Sequence, residues 1–191
     1  KYINQVPHTD HAVWLPILLG TYIDETGDRD ILDVPVHCET REATVFERTE
    51  DALGSLLSNL DDRSLSLIAQ GDWCDPMNMV GHLGRGVSSW LSMATIYALD
   101  LWCDVLTADG GTNRAAKWRQ TSAEIRDAVK THFWADGWYA RGITDNGRRF
   151  GTANDDEGQI FLNPQSWALM TGLANSSERK TVIDAVTDRL L

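Results

Sequence analysis

The 191-residue chain is short of several features that often carry function. Cysteine occurs three times, as Cys38, Cys74 and Cys103. None of the three makes a CxxC pair, and an odd count cannot form a closed disulfide set, so reduced thiols are expected; a disulfide between two of them stays open. The five histidines form neither HExxH nor HxH, so no metal site is expected. No apolar run approaches the roughly 20 residues of a bilayer span, and the N-terminus lacks a signal-peptide layout; no membrane association is expected. Basic residues are scarce, 17 against 28 acidic ones, for a net charge of −11. Such a field repels polyanions, which removes nucleic acid as an expected partner.

What remains is ordinary for a globular chain. Hydrophobic residues make up 42% and charged ones 24%, enough apolar surface to bury a core. The eight tryptophans are many for this length. They can pack the core, or some can form platforms for a ligand with apolar faces. The chain starts at Lys1 without an initiator Met and stops at Leu191 inside a helical-looking segment, so both ends look cut.

The hydrophobic spacing predicts helices joined by busy loops. The first covers about 12–25, capped by Thr9 or Asp10 and ended by Gly27. Others are expected over about 43–59, 87–106 and 113–133. The 87–106 segment is apolar around nearly its whole circumference, as in a helix buried on more than one side. Residues 137–151 alternate and contain the turn signal Asp145-Asn146-Gly147, which predicts a small hairpin. A further helix near 164–174 has Pro164 in its first turn, and Ser176 or Ser177 is expected to cap a last one. Buried helices thus alternate with amphipathic ones, as in a two-layer helical toroid. A simple bundle fits the helices but not the elaborate loops.

The loop before the most buried helix holds the chemistry-bearing residues: Gln70-Gly71-Asp72-Trp73-Cys74-Asp75-Pro76-Met77-Asn78-Met79-Val80-Gly81. Two carboxylates three residues apart flank a tryptophan. A carboxyl against an indole face loses hydration of its charged form, which raises its pKa and suits it to general-acid work. Asp72 or Asp75 can instead cap the following helix or pair with Arg85.

This loop resembles the DW-x-D motif of the disaccharide phosphorylases of glycoside hydrolase family 94, whose relatives include cyclic glucan synthesis proteins. The similarity continues through Thr9-Asp10-His11-Ala12-Val13-Trp14-Leu15, Glu25-Thr26-Gly27-Asp28, Gly137-Trp138-Tyr139-Ala140-Arg141-Gly142, Gly151-Thr152-Ala153, Glu157-Gly158 and Phe161-Leu162-Asn163-Pro164-Gln165-Ser166-Trp167, in family order. The resemblance implies an all-α fold that is part of an (α/α)6 barrel, with residues 1–191 as one partial catalytic domain truncated at both ends. At about 11–12 residues per helix, twelve helices would consume most of the chain before any loop.

The activity implied is inverting phosphorolysis of a β-linked glucosyl disaccharide or oligosaccharide. Asp75 matches the general acid, and inorganic phosphate is the nucleophile. Phosphate is already an anion, so no second carboxylate is needed as a base, unlike in inverting hydrolases. Asp72 matches a loop-fixing carboxylate accepting backbone N–H bonds, or a substrate contact, and Trp73 matches the subsite of the transferred sugar. Arg85 either touches substrate, pairs with Asp72 or faces solvent. Glu157 and Gln159 either reach the acceptor sugar or cap the entry to a helix. Asp10, His11 and His82 lie near the pocket by motif position, with structural roles favoured. Cys74 stands where better-known members carry Asn, and the Pro-Met-Asn-Met continuation resembles cellobionic acid phosphorylase-like members more than cellobiose ones. The family's phosphate-holding His and Thr fall beyond Leu191 and its sugar-gripping Arg-Asp pair before Lys1, which agrees with the acidic charge of the chain. No cofactor is implied beyond phosphate as co-substrate. A cytoplasmic location and a homodimer are expectations of the same resemblance. An inverting hydrolase on the same barrel and a cyclic β-glucan chain-length-processing domain are the alternatives.

Overall fold

A computed structural model describes residues 8–37, 41–74, 77 and 79–191. Among these residues six α-helices dominate. Helix α1 (His11–Thr26) buries Val13, Pro16, Leu19, Gly20 and Ile23 and stops at Gly27, whose left-handed backbone (φ 70°) lets its N–H reach the Ile23 carbonyl. A 3-10 turn, Asp30–Asp33, leads to a short antiparallel pair, β1 (Pro35–His37) and β2 (Glu42–Thr44), which the hydrophobic spacing did not predict. Helix α2 (Val45–Ser58) starts from a capping box in which Thr44 accepts from the Glu47 N–H and the Glu47 carboxylate accepts from the Thr44 N–H.

After the long 59–86 loop, strand β3 (Val87–Ser88) runs straight into α3 (Ser89–Ala108), followed by α4 (Thr112–Phe133). The expected single hairpin resolves into two: β4 (Trp134–Ala135) with β5 (Trp138–Tyr139), and β6 (Gly142–Ile143) with β7 (Arg149–Phe150). Strand β6 also pairs with β3, so this segment is stitched to the entrance of α3. Helix α5 (Leu162–Met170) ends four residues earlier than its pattern suggested. Helix α6 (Ser176–Leu190) is capped by Asn175 rather than by Ser176 or Ser177. Asn175 accepts from the Ser177 and Glu178 N–H groups, while the Glu178 carboxylate accepts from the Asn175 N–H.

Helix α3 is the centre of the packing. Of its 20 residues, 14 are buried, including Trp90, Leu91, Met93, Ile96, Leu99 and Trp102. It is long and apolar enough to cross a membrane by length and composition, contrary to the run-length expectation, but two thirds of that stretch is buried inside the fold. The helices α1, α3 and α5 pack in a row, and α2, α4 and α6 each back the preceding member of that row. Gly20 allows the α1–α3 approach, since a Cβ there would stand 3.0 Å from Leu101 Cβ. The helix-pair plan expected from the sequence is therefore present, with small two- and three-stranded sheets at its loops.

Candidate active site

The 59–86 loop is closed at its root by pairing of its two ends. Leu67 bridges Val87, the Ile68 N–H donates to the Gly86 carbonyl at 2.9 Å, and the Ser88 N–H donates to the Ser66 carbonyl at 2.9 Å. Between these ends the chain folds back tightly enough to exclude side chains. A Cβ on Gly86 would lie 2.3 Å from the Val80 carbonyl oxygen, and one on Gly81 would lie 2.6 Å from Ile68 Cγ2. The start of α1 is tied to the same loop: the Thr9 N–H donates to the Gly71 carbonyl, and the His8 ring Nδ1 donates to the Asp72 carbonyl at 2.9 Å.

Asp72 is completely buried, and so is its partner, Arg141. Arg141 Nη2 donates to both Asp72 carboxylate oxygens at 2.6 and 2.7 Å, and its Nη1 donates to Ser88 Oγ at 3.0 Å. Ser88 Oγ in turn donates to Asp72 Oδ2 at 2.5 Å and accepts from the Leu91 N–H at 3.0 Å, capping α3. The Cys74 N–H donates to Asp72 Oδ1 at 3.0 Å. One carboxylate thus joins the loop, the first turn of α3 and the β5–β6 segment. Burial of a charge is tolerated only when it is paired and hydrogen-bonded in this way.

The far end of the loop has a second anchor on the same segment. The buried Asp145 carboxylate accepts from the N–H groups of Leu83, Arg85 and Gly86 at 2.8, 2.9 and 3.0 Å, and His82 Nδ1 lies 3.3 Å from it. Burial pushes this carboxyl up, but the three N–H donors and His82 outweigh it and hold it below the usual carboxylate range. The Asp145 N–H also donates to the Val80 carbonyl.

The sequence-derived site residues are placed as follows. Asp75 lies outside the described residues. Trp73 is 62% exposed, with its indole on the surface of the loop. Asp72 is spent on the buried network. Arg85 does not pair with Asp72; its Nε donates to the Asp145 carbonyl at 3.1 Å, and the residue is exposed. Glu157 is exposed, while Gln159 braces its own loop by donating to the Ala153 and Asp155 carbonyls and accepting from Arg189 at 2.7 Å. Asp10 occupies the residue before α1 but makes no side-chain cap; its carboxylate accepts from Trp14 Nε1 at 3.1 Å.

Trp14 belongs to an aromatic group with Trp90, Tyr97 and Trp167 at the row of α1, α3 and α5. Most tryptophans are therefore packing residues, and only Trp14 and Trp73 are exposed. A cavity of about 860 Å³ is lined by Arg63, Arg148, Arg149 and neighbouring residues and shares none with the 70–81 loop. It is wide, polar and already ion-paired through Arg148–Asp155 and Arg63–Asp61, so the loop is the better candidate for chemistry. Among the described residues no three His, Cys, Asp or Glu side chains come together as a metal site. Cys74 and Cys103 are free thiols; Cys38 lies outside the described residues.

Sequence reasoning quoted Arg141 and Asp145 in motifs but gave neither a role, and it passed over Ser88. One signal was available for Arg141. A charged residue inside the apolar alternation Trp138-Tyr139-Ala140-Arg141-Gly142-Ile143 has to be paired if it is buried.

Comparison with known proteins places the chain among carbohydrate-active enzymes. Residues 3–191 match the model of the glycosyl hydrolase 94 superfamily, catalytic domain. The chain is 47% identical over its whole length to a cellobionic acid phosphorylase of Neurospora crassa, covering 24% of that protein. It is 37% identical, again over its whole length, to a 3-O-beta-D-glucopyranosyl-beta-D-glucuronide phosphorylase of Paenibacillus borealis, covering 25% of it. The chain thus spans about a quarter of the length of these relatives. A GH78 family rhamnosidase of Bacillus sp. GL1 superposes with a TM-score of 0.72 over 93% of this chain and 17% of the rhamnosidase, at 14% identity, a likeness of fold alone.

Proposed function

Because the chain belongs to the glycosyl hydrolase 94 superfamily, we propose that it forms part of the catalytic domain, an (α/α)6 barrel, of an inverting disaccharide phosphorylase. The observation that carries this reading is the 47% identity to a cellobionic acid phosphorylase across every residue of the chain. The two relatives named above act on different disaccharides, yet both names describe a glucosyl group joined to an acidic sugar. The substrate proposed here is accordingly a β-glucosyl unit linked to an aldonic or uronic acid.

In the proposed reaction Asp75 gives its proton to the glycosidic oxygen as the anomeric C–O bond breaks. A phosphate oxygen attacks the same carbon from the opposite face, forming a sugar 1-phosphate of inverted configuration. The proton returns to Asp75 from the newly formed phosphate monoester through solvent, so no other base is required. Trp73, two residues before the acid in the chain, offers an exposed indole face for the apolar side of a sugar ring. Asp72, held by Arg141, Ser88 and the Cys74 N–H, keeps the loop in one conformation instead of contacting substrate. Retention of the sugar 1-phosphate is useful inside a cell, which supports a cytoplasmic site of action.

The test uses the intact gene product with cellobionic acid. Sugar 1-phosphate should form only when inorganic phosphate is added, and Asp75→Asn should reduce turnover by about 10²–10⁴-fold with the fold unchanged by circular dichroism. Release of free glucose without phosphate dependence would move the reading to an inverting hydrolase.

A further inference from the structure

We propose that Arg141 is a positioning residue for the proton-donating loop, acting through Asp72 and Ser88 from one side while Asp145 holds the loop from the other. This inference rests on the phosphorylase reading above. Only two residues separate Asp72 from the proposed acid Asp75 in the chain. Whatever fixes Asp72 therefore fixes the chain leading to the acid as far as Cys74, whose N–H donates to Asp72 Oδ1.

Three observations separate this role from ordinary core packing. Arg141 and Asp72 are both fully buried, and a buried ion pair is a poor source of stability compared with apolar residues of similar volume. Its benefit is a single geometry. Next, among the described residues the side-chain hydrogen bonds of Arg141 go to the loop root and to the residue that caps the helix following it. The two Nη atoms serve Asp72 and Ser88. Lastly, the backbone around Arg141 is locked. Its N–H donates to the Phe150 carbonyl, its carbonyl accepts from the Ser89 N–H and Oγ, and a Cβ on Gly151 would stand 2.7 Å from its nitrogen. The backbone that carries the guanidinium is thus fixed independently of Asp72.

The second anchor completes the argument. Asp145, four residues after Arg141, collects three N–H groups at the other end of the loop. One short β-segment thus grips the loop at both roots, with a cation on one and an anion on the other.

The discriminating experiment varies the leaving group. Phosphorolysis by the intact gene product is measured with cellobionic acid, whose leaving oxygen needs a proton, and with β-D-glucosyl fluoride, whose fluoride departs with little help. Asp75→Asn sets the pattern of a lost acid. Arg141→Lys keeps the charge but not the fork that reaches both Asp72 oxygens and Ser88. It is expected to lower kcat on cellobionic acid by about a hundredfold, the scale of a small misplacement of a reacting group. Turnover of the fluoride should fall by less than about threefold, a small barrier change, with KM for phosphate unchanged. Should Arg141→Lys fail to fold, Ser88→Ala makes the same comparison with a smaller loss on the disaccharide, about tenfold. Equal losses on both substrates, or no loss on either, overturn the positioning role. If the unsubstituted protein makes no sugar 1-phosphate, the phosphorylase reading fails first and this inference falls with it. A fluoride-sparing pattern in Arg141→Lys that is absent from Asp75→Asn would instead reassign the acid.

Discussion

The Asp72–Arg141 pair allows a quantitative prediction about stability, independent of catalysis. Asp72 accepts four hydrogen bonds, two from Arg141 and one each from Ser88 and the Cys74 N–H, in a site with no solvent exposure. Arg141→Met removes the two charge-assisted bonds and leaves a buried carboxylate with two neutral donors. Asp72→Asn leaves a buried guanidinium facing an amide. Each single change strands a charge, and removing one partner of a buried pair costs about 3–5 kcal/mol. The double variant strands none, so its cost should fall well below the sum, with a coupling energy of about 3 kcal/mol. Native-state hydrogen exchange at the amides of Cys74 and Leu91 is the suitable assay. Both report on this network, through Asp72 Oδ1 and Ser88 Oγ respectively, and local opening energies need no two-state assumption. If the two single effects simply add, the pair is not coupled and the description of one buried network is wrong.

Two further predictions concern the far anchor and the loop closure. Asp145 is held below the usual carboxylate range despite burial; the unfolded value of an Asp is about 3.9. Its contribution is therefore present above about pH 4 and is lost as pH falls through the lower folded value. Protection factors of the Leu83, Arg85 and Gly86 amides should hold steady from neutral pH to about 4 and decline below it. In Asp145→Asn they should be lower throughout without that acid limb; a limb that persists would assign it to another group. Gly86→Ala would drive a Cβ to 2.3 Å from the Val80 carbonyl oxygen and 2.6 Å from Gly81 Cα. Backbone cannot yield there as a side chain does, so a loss of about 1–3 kcal/mol is expected. The matched control Gly54→Ala, in α2 with nothing within 4 Å, should stabilise by about 0.5–1 kcal/mol; thermal melts of both variants decide it.

The helices were legible because their cause is local. The apolar spacing of α3 and the Gly27 stop of α1 are properties of neighbouring residues, and the observed α1 and α4 agree with the sequence expectation to within a residue or so. The α6 cap was misplaced by one residue for a related reason: Asn and Ser are comparable caps, and Asn175 prevails because Glu178 sits at the box position relative to it. The anchors of the loop depend on partners about 60 and 69 residues away, which periodicity cannot express. Asp145 reads locally as the first residue of an Asp-Asn-Gly turn, and it is one, with the Gly147 N–H bonded to the Thr144 carbonyl. Nothing in that triplet states that its carboxylate also closes a loop elsewhere.

Arg141 is the intermediate case, and it bears on the division of labour between the two carboxylates of the loop. A cation flanked by Trp138, Tyr139 and Ile143 has to find an anion if the strand is buried, and all three neighbours are. The 70–81 loop offers two, three residues apart, and spacing alone cannot choose between them. The structure pairs Arg141 with Asp72 at 2.6 Å in a site without solvent. Both oxygens of this carboxylate are taken up by Arg141, Ser88 and the Cys74 N–H, and none of it is exposed, so it has no access to a leaving oxygen. Within the phosphorylase reading, proton donation then falls to the other carboxylate of the loop, Asp75. The same ion pair that closes Asp72 off from substrate thereby supports the assignment of Asp75, and it does so from hydrogen bonding and burial.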